Sequence, residues 1–534
     1  MAERMFDVSR RAMLKSSVMG AAFAALPRLG TPEAQAAAGT SSMSAVVDTA
    51  GGKVRGVVAN GVHIYRGIPY GASTAGANRF MPPRKAEPWT GVRDAFQSGH
   101  ASPQVSPPPG AIGAGLRGYA AQGEDCLVLN VFSTGVTDNR KRPVMMWIHG
   151  GGYTYGSGSS LGYDGANLSR AGDVVVVCIN HRLAIAGHLY LGAGGADFAD
   201  SANVGMLDIV ASLQWVRDNI ARFGGDPGNV TIFGQSGGGG KVSTLLAMPS
   251  AKGLFHKAIV ESGSTLTQMT RDEAQKTTDR VAAQLGLKPT QAAELQQVPL
   301  AKLLGAMGAG TRFGPVVDGH ALPRDPFDPD APEVSAAVPM IIGTTETEGS
   351  YFAPPEMLSL DEAAVRARLK ERLAGDGDRV YDLFKKNRPA ATPSEIYFTI
   401  SAFPSNAHIQ AERKAAQRRS PAFLYQIRWR TPVEGGRRLS PHCIEIPFAM
   451  QNHWQLPEMV GTGPELQPLA DQVSGAWIAF ARSGNPSHPG IPKWPVYTAT
   501  ERSTMHINNE WTLATDPDRE ERVALAPLPR LPMF

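Results

Sequence analysis

The chain predicts an α/β architecture, a doubly wound, mostly parallel sheet held between layers of helix. Three observations carry this: short β-branched runs apolar on both faces, a helix-period stretch between two of them, and a glycine-flanked serine where one run passes into the next helix. In chain order, Val128–Phe132, Pro143–Ile148 and Val174–Asn180 predict strands. Gly205–Phe223 predicts a helix, because Leu207, Val210, Ala211, Leu213, Trp215 and Ile220 recur near the helical period and Gly224-Gly225-Asp226-Pro227 stops it. Val230–Phe233, Lys257–Glu261 and Val338–Ile342 predict further buried strands, and helical segments with fewer strands fill roughly 271–308 and 360–420. At 534 residues the chain exceeds the size at which one core usually stops growing. No linker or repeat divides it, so one large, heavily inserted domain over 37–534 is expected.

Composition excludes several functions. The chain carries 52 Lys and Arg against 48 Asp and Glu, and the small surplus argues against a nucleic-acid footprint. Three cysteines, Cys126, Cys178 and Cys443, allow at most one internal disulfide. No apolar stretch reaches the length of a membrane span. Ser9-Arg10-Arg11-Ala12-Met13-Leu14-Lys15, the apolar run Val18–Leu26 and Ala34-Gln35-Ala36 resemble a twin-arginine export signal, which predicts a signal peptide over 1–36 and a periplasmic or secreted protein.

The chemistry centres on Gly234-Gln235-Ser236-Gly237-Gly238, directly after the Val230–Phe233 strand. This fits the G-x-S-x-G nucleophile elbow, in which a tight strand-to-helix turn exposes the serine at a helix N-terminus. Alone the pattern is common in a chain with 58 glycines; the strand before it and the helical stretch after it give it weight. A phosphate-binding P-loop over the same glycines fails twice, at Gln235 and at Val242. His149-Gly150-Gly151-Gly152-Tyr153, after another strand, supplies a glycine loop able to aim N–H groups at an oxyanion. Downstream, Glu346 and Glu348 are candidate orienting acids, and His442 and His453 are candidate bases.

The accumulated motifs resemble a type-B carboxylesterase, of the carboxylesterase/cholinesterase group within the α/β-hydrolases, over nearly all of 45–500. They include Gly52-Lys53-Val54-Arg55-Gly56, Tyr65-Arg66-Gly67-Ile68-Pro69-Tyr70, Arg79-Phe80, Pro88-Trp89 and Glu124-Asp125-Cys126-Leu127. Asn180-His181-Arg182-Leu183, Phe223-Gly224-Gly225-Asp226-Pro227, Pro315-Val316-Val317-Asp318-Gly319, Gly484-Asn485-Pro486 and Trp494-Pro495 follow in order. The resemblance implies an α/β-hydrolase fold with helical insertions forming an active-site gorge. It also implies a triad of Ser236, Glu348 and His442, an oxyanion hole of Gly151, Gly152 and Gly237, and scaffold ion pairs Arg79–Glu124 and Arg182–Asp208. The implied activity is hydrolysis of small to medium carboxylic esters, with no metal or organic cofactor. Tyr153, Phe313, Tyr351 and Phe352 are candidate substrate contacts.

The chain departs from this family at three places. Gln235 and Gly237 stand where the family usually has Glu and Ala, so a negative charge beside the histidine is lost. Ser102 takes the place of the cysteine that pairs with the one matching Cys126, which predicts a free Cys126. The loop at 103–124 contains no tryptophan and only Tyr119 as an aromatic, against a choline-ester specialist. Amide, carbamate or lactone hydrolysis on the same triad is the nearest alternative, and a non-catalytic recognition protein is a remote one. The oligomeric state is not set by the sequence.

Overall fold

Alternation of apolar side chains fixes how the strands are buried. In β6 (Arg142–Ile148), Val144, Met146 and Ile148 enter one apolar core while Met145 and Trp147 enter another. β7 (Val175–Ile179) splits its residues the same way, so the sheet carries a core on each face. The helix Val204–Asn219 covers the first face with Met206, Ile209, Leu213 and Val216. The helix Leu466–Ser483 covers the second with Leu469, Val473, Trp477 and Phe480.

These elements belong to a computed structural model, which describes residues 42–528 except 106–112, 117–120, 309–310, 374 and 404–405. The export-signal residues 1–36 and Tyr119 lie outside the described residues. Thr40–Phe534 forms one compact unit.

Among the described residues one sheet contains β1 (Ser42–Thr49), β2 (Gly52–Ala59), β3 (Val62–Pro69), β4 (Val92–Asp94), β5 (Val128–Ser133), β6 and β7. It continues through β8 (Gly225–Gln235), β9 (Lys257–Glu261), β10 (Met340–Thr345), β11 (Ala422–Ile427), β12 (Thr504–Ile507) and β13 (Thr512–Ala514). The order is β1-β2-β3-β5-β7-β6-β8-β9-β10-β11-β12-β13, with β4 beside β2. Strands β7 to β12 along this path run parallel; the outer strands of the path pair antiparallel, and β4 lies parallel to β2. The α/β-hydrolase fold expected from the sequence is the fold observed.

The expected helix at 205–223 is α-helical over Val204–Asn219, and its last turn tightens to a 3-10 turn, Ile220–Phe223. Gly224, at φ 79°, then turns the chain into β8, which begins five residues earlier than Val230 because Gly225 already pairs with Arg142. The antiparallel edge strands and β11 to β13 were not signalled by long β-branched runs.

The two scaffold ion pairs form. Arg79 binds Glu124 through two hydrogen bonds of 2.7 and 2.8 Å. Arg182 and Asp208, both fully buried, pair at 2.7 and 2.8 Å. All three cysteines are free and buried, and burial pushes the Cys126 thiol up to about 12.

Candidate active site

β8 ends at Gln235, the helix Gly237–Leu245 starts at Gly237, and Ser236 sits between them at φ 58° and ψ −126°. A positive φ on a residue with a side chain is strained, and neighbouring hydrogen bonds hold it there. The Ser236 N–H donates to the Glu261 carbonyl at 2.8 Å, and the Ser236 carbonyl accepts from the Gly240 N–H at 2.9 Å. The turn passes so close to β6 that a Cβ at position 238 would stand 2.0 Å from the Ile148 carbonyl oxygen. Ser236 is only partly covered, at the positive end of the helix.

Glu348 opens a single 3-10 turn, Glu348–Tyr351, beyond β10, and His442 lies in a turn beyond β11. His442 Nδ1 hydrogen-bonds Glu348 Oε2. The other carboxylate oxygen accepts from Thr344 Oγ1 at 2.5 Å and from the Thr345 N–H at 2.8 Å. Burial opposes ionisation of Glu348, but His442 and these donors hold its carboxyl below the usual range. Burial likewise works against a charged imidazole, yet the Glu348 carboxylate bound to Nδ1 raises His442 well above an ordinary histidine. With Nδ1–H donating to Glu348, Nε2 is the proton acceptor.

The Gln235 amide nitrogen stands 3.3 Å from His442 Nδ1 and 3.2 Å from Nε2. A point equally near both ring nitrogens lies over the ring face, so the amide stacks on the imidazole and leaves the in-plane Nε2 lone pair uncovered. Cys443 fixes the amide's direction by donating its S–H to Gln235 Oε1 at 3.1 Å. Ser236 Oγ makes no hydrogen bond among the described residues, so the structure joins acid to histidine but not yet histidine to serine. Such bonds often tighten only when substrate binds. The alternatives left open by spacing lie elsewhere: Glu346 faces Arg428 and Arg430 at 3.8 and 3.9 Å, and His453 belongs to a separate 3-10 turn.

Beyond β6, Gly151 at φ 88° and Gly152 at φ 62° bring the glycine loop against the start of the helix Gly237–Leu245. Among the described residues the N–H groups of Gly151 and Gly152 donate to no protein acceptor. Gly237 is the first helical residue, where N–H groups have no partner within the helix. Beneath the loop His149 stacks on His181, with ring centroids 4.7 Å apart. Burial and Lys241 push both toward neutrality, His149 to about 3.

The four aromatic candidates separate. Phe352, exposed, and Tyr351, buried, lie with ring centroids 5.5 and 6.1 Å from His442. Tyr153 sits over the Lys241 ammonium, and its hydroxyl accepts from Gln268 Nε2 at 2.8 Å. Phe313 packs in an apolar cluster with Leu191, Phe198 and Leu303. Spacing alone did not single out Lys241, Thr344, Thr345 or Cys443. The visible signal was a lysine closing the run Gly237–Gly240, set aside with the P-loop.

Residues 43–526 match the carboxylesterase family. The chain is 36% identical to a para-nitrobenzyl esterase of Bacillus subtilis, over 90% of this chain and 98% of that protein. It is 32% identical to a phenmedipham hydrolase of Pseudarthrobacter oxydans, over 90% and 99%. The solved structure of a thermophilic PNB esterase superposes with a TM-score of 0.78 at 36% identity, covering 90% of this chain and 99% of the other.

Proposed function

The chain belongs to the carboxylesterase family and is a carboxylic ester hydrolase; from that premise we propose that it acts through a Ser236-His442-Glu348 triad on small to medium esters. Ser236 attacks the ester carbonyl while His442 Nε2 takes the hydroxyl proton. Glu348 holds Nδ1–H and stabilises the imidazolium. The N–H groups of Gly151, Gly152 and Gly237 receive the oxyanion. The alcohol leaves with the proton from His442, and water then cleaves the acyl-enzyme along the same path. Phe352 and Tyr351, beside His442, are the substrate contacts this reading favours.

The observation that carries the reading is the hydrogen bond between Glu348 and His442, with Ser236 on a strained turn at a helix start. A fluorophosphonate probe is expected to label the wild type and not Ser236→Ala, whose turnover of p-nitrophenyl esters is lost. Labelling of Ser236→Ala would overturn the assignment. On a p-nitrophenyl ester series, short and medium acyl chains are expected to exceed long ones in kcat/KM.

Carbamate hydrolysis is the second reading, since one relative is named a phenmedipham hydrolase. Matched ester and carbamate substrates separate the two by their kcat/KM. The Arg10-Arg11 pair and the Ala34-Gln35-Ala36 segment support export as a further part of the proposal. Arg10→Lys/Arg11→Lys is expected to retain the protein in the cytoplasm, as read by cell fractionation.

A further inference from the structure

Lys241 is wholly buried, four residues after Gly237 on the helix that begins beside the nucleophile. Burying an ammonium is costly unless strong partners replace water. No carboxylate pairs with it among the described residues. Its Nζ donates instead to the carbonyls of Gly152 at 2.7 Å and His149 at 3.2 Å, and it lies 5.2 Å from the centre of the Tyr153 ring.

Those two carbonyls bracket the glycine loop, and the two between them are also occupied. The Gly150 carbonyl accepts from His149 Nδ1 at 2.9 Å, and the Gly151 carbonyl accepts from the Thr154 and Tyr155 N–H groups at 3.2 Å. In a trans peptide the N–H points opposite to the C=O of the same plane. Turning the Gly150 and Gly151 carbonyls inward therefore turns the Gly151 and Gly152 N–H groups outward, and Lys241 clamps the planes on either side.

The same contact accounts for the residue after the nucleophile. A Cβ at position 237 would stand 2.2 Å from the Gly152 carbonyl oxygen, the oxygen that Lys241 holds. Alanine there requires that carbonyl to move.

We propose that Lys241 is the positioning residue of the oxyanion loop, its buried ammonium drawing the Gly152 and His149 carbonyls against the nucleophile helix and thereby making glycine obligatory at position 237. The inference rests on the oxyanion hole of the proposed function and deepens it. The titratable groups around the ammonium are His149, His181 and His188, each buried and driven neutral, and Tyr153. Burial pushes Lys241 itself down to about 7. Its hold is therefore strongest in the charged form below that pH.

The test compares wild type, Lys241→Met, Lys241→Gln, Gly237→Ala and Gly237→Ala/Lys241→Met on p-nitrophenyl butyrate, with binding of a trifluoromethyl ketone as a readout of oxyanion stabilisation. Losing one oxyanion donor costs about 10²–10³ in kcat; misaiming two by a loosened loop is expected to cost Lys241→Met about tenfold or more. KM should be nearly unchanged, and ketone affinity should fall in parallel. The ratio of wild-type to Lys241→Met kcat should narrow as pH rises from 6 to 9. The double variant should exceed the product of the two single effects, because the freed carbonyl can yield to the alanine. Lys241→Gln keeps a donor without the charge and should fall between wild type and Lys241→Met; it carries the test if the methionine variant fails to fold. Unchanged kcat and ketone affinity in a folded Lys241 variant, or strict additivity with Gly237→Ala, overturns the inference. Fluorophosphonate labelling of Ser236 in these variants reports the triad separately, so loss of the triad reading and loss of this one give different results.

Discussion

Gln235 sets an uncharged amide against His442, the base of the proposed triad. Its amide lies on the imidazole face, where the family's glutamate would bring a negative charge. Gln235→Glu is expected to favour the imidazolium, raise the His442 pKa and move the acid limb of the kcat/KM profile to higher pH; superimposable profiles would sink this account. Glu348→Gln should keep the packing but lose the acceptor that orients Nδ1–H. By comparison with other triads kcat should fall by about 10⁴, with KM little changed, as steady-state kinetics would show. At this scale the sequence was partly legible. The serine could be read from its flanking glycines, because the tight turn leaves no room for side chains. Spacing could not separate Glu348 from Glu346 or His442 from His453, because those choices depend on which loops meet across the sheet; family resemblance selected Glu348 and His442. The Gln235–Cys443 contact joins residues more than two hundred positions apart and left no local pattern.

At the scale of elements, Arg182 and Asp208 tie the segment after β7 to the helix Val204–Asn219. Asp208 also accepts from the Arg182 backbone N–H at 2.9 Å, so removing the arginine leaves a buried, unpaired carboxylate. Arg182→Met is expected to cost about 3–5 kcal/mol in denaturant unfolding. Arg182→Met/Asp208→Leu should recover part of that loss, since the stranded charge is gone. Strands β6, β7, β9 and β10 and the Val230–Phe233 part of β8 were legible because both of their faces are buried and their residues are largely apolar. β11 held fewer clues, since Ala422, Tyr425 and Gln426 interrupt its apolar run, and its place beside β10 is fixed by pairing. At the antiparallel end of the sheet β1 and β2 leave most of their residues exposed or half-buried and carry weaker patterns.

For the whole molecule, several buried histidines set the response to acid. Burial holds His149, His188 and His506 at about 3 and His408 at about 4, and drives His181 well below its ordinary value. The unfolded chain protonates these groups near 6.5 while the folded chain does not, so unfolding takes up protons and stability falls as pH drops below about 6.5. Glu261 and Glu445, raised by burial and by neighbouring carboxylates, act in the opposite direction but are fewer. Thermal melts should therefore show a lower Tm at pH 5 than at pH 7, and an unchanged Tm would contradict this balance. The sequence by itself determined the sheet-and-helix class, the serine turn and the glycine loop, because each rests on local periodicity or local turn geometry; the unpaired Cys126 followed only from comparison with the family. Tertiary structure decided which acid meets which histidine and how Gln235 lies on the ring. It also decided why a lysine can be buried beneath a loop of glycines: its partners are backbone carbonyls, which every residue carries and no sequence pattern marks.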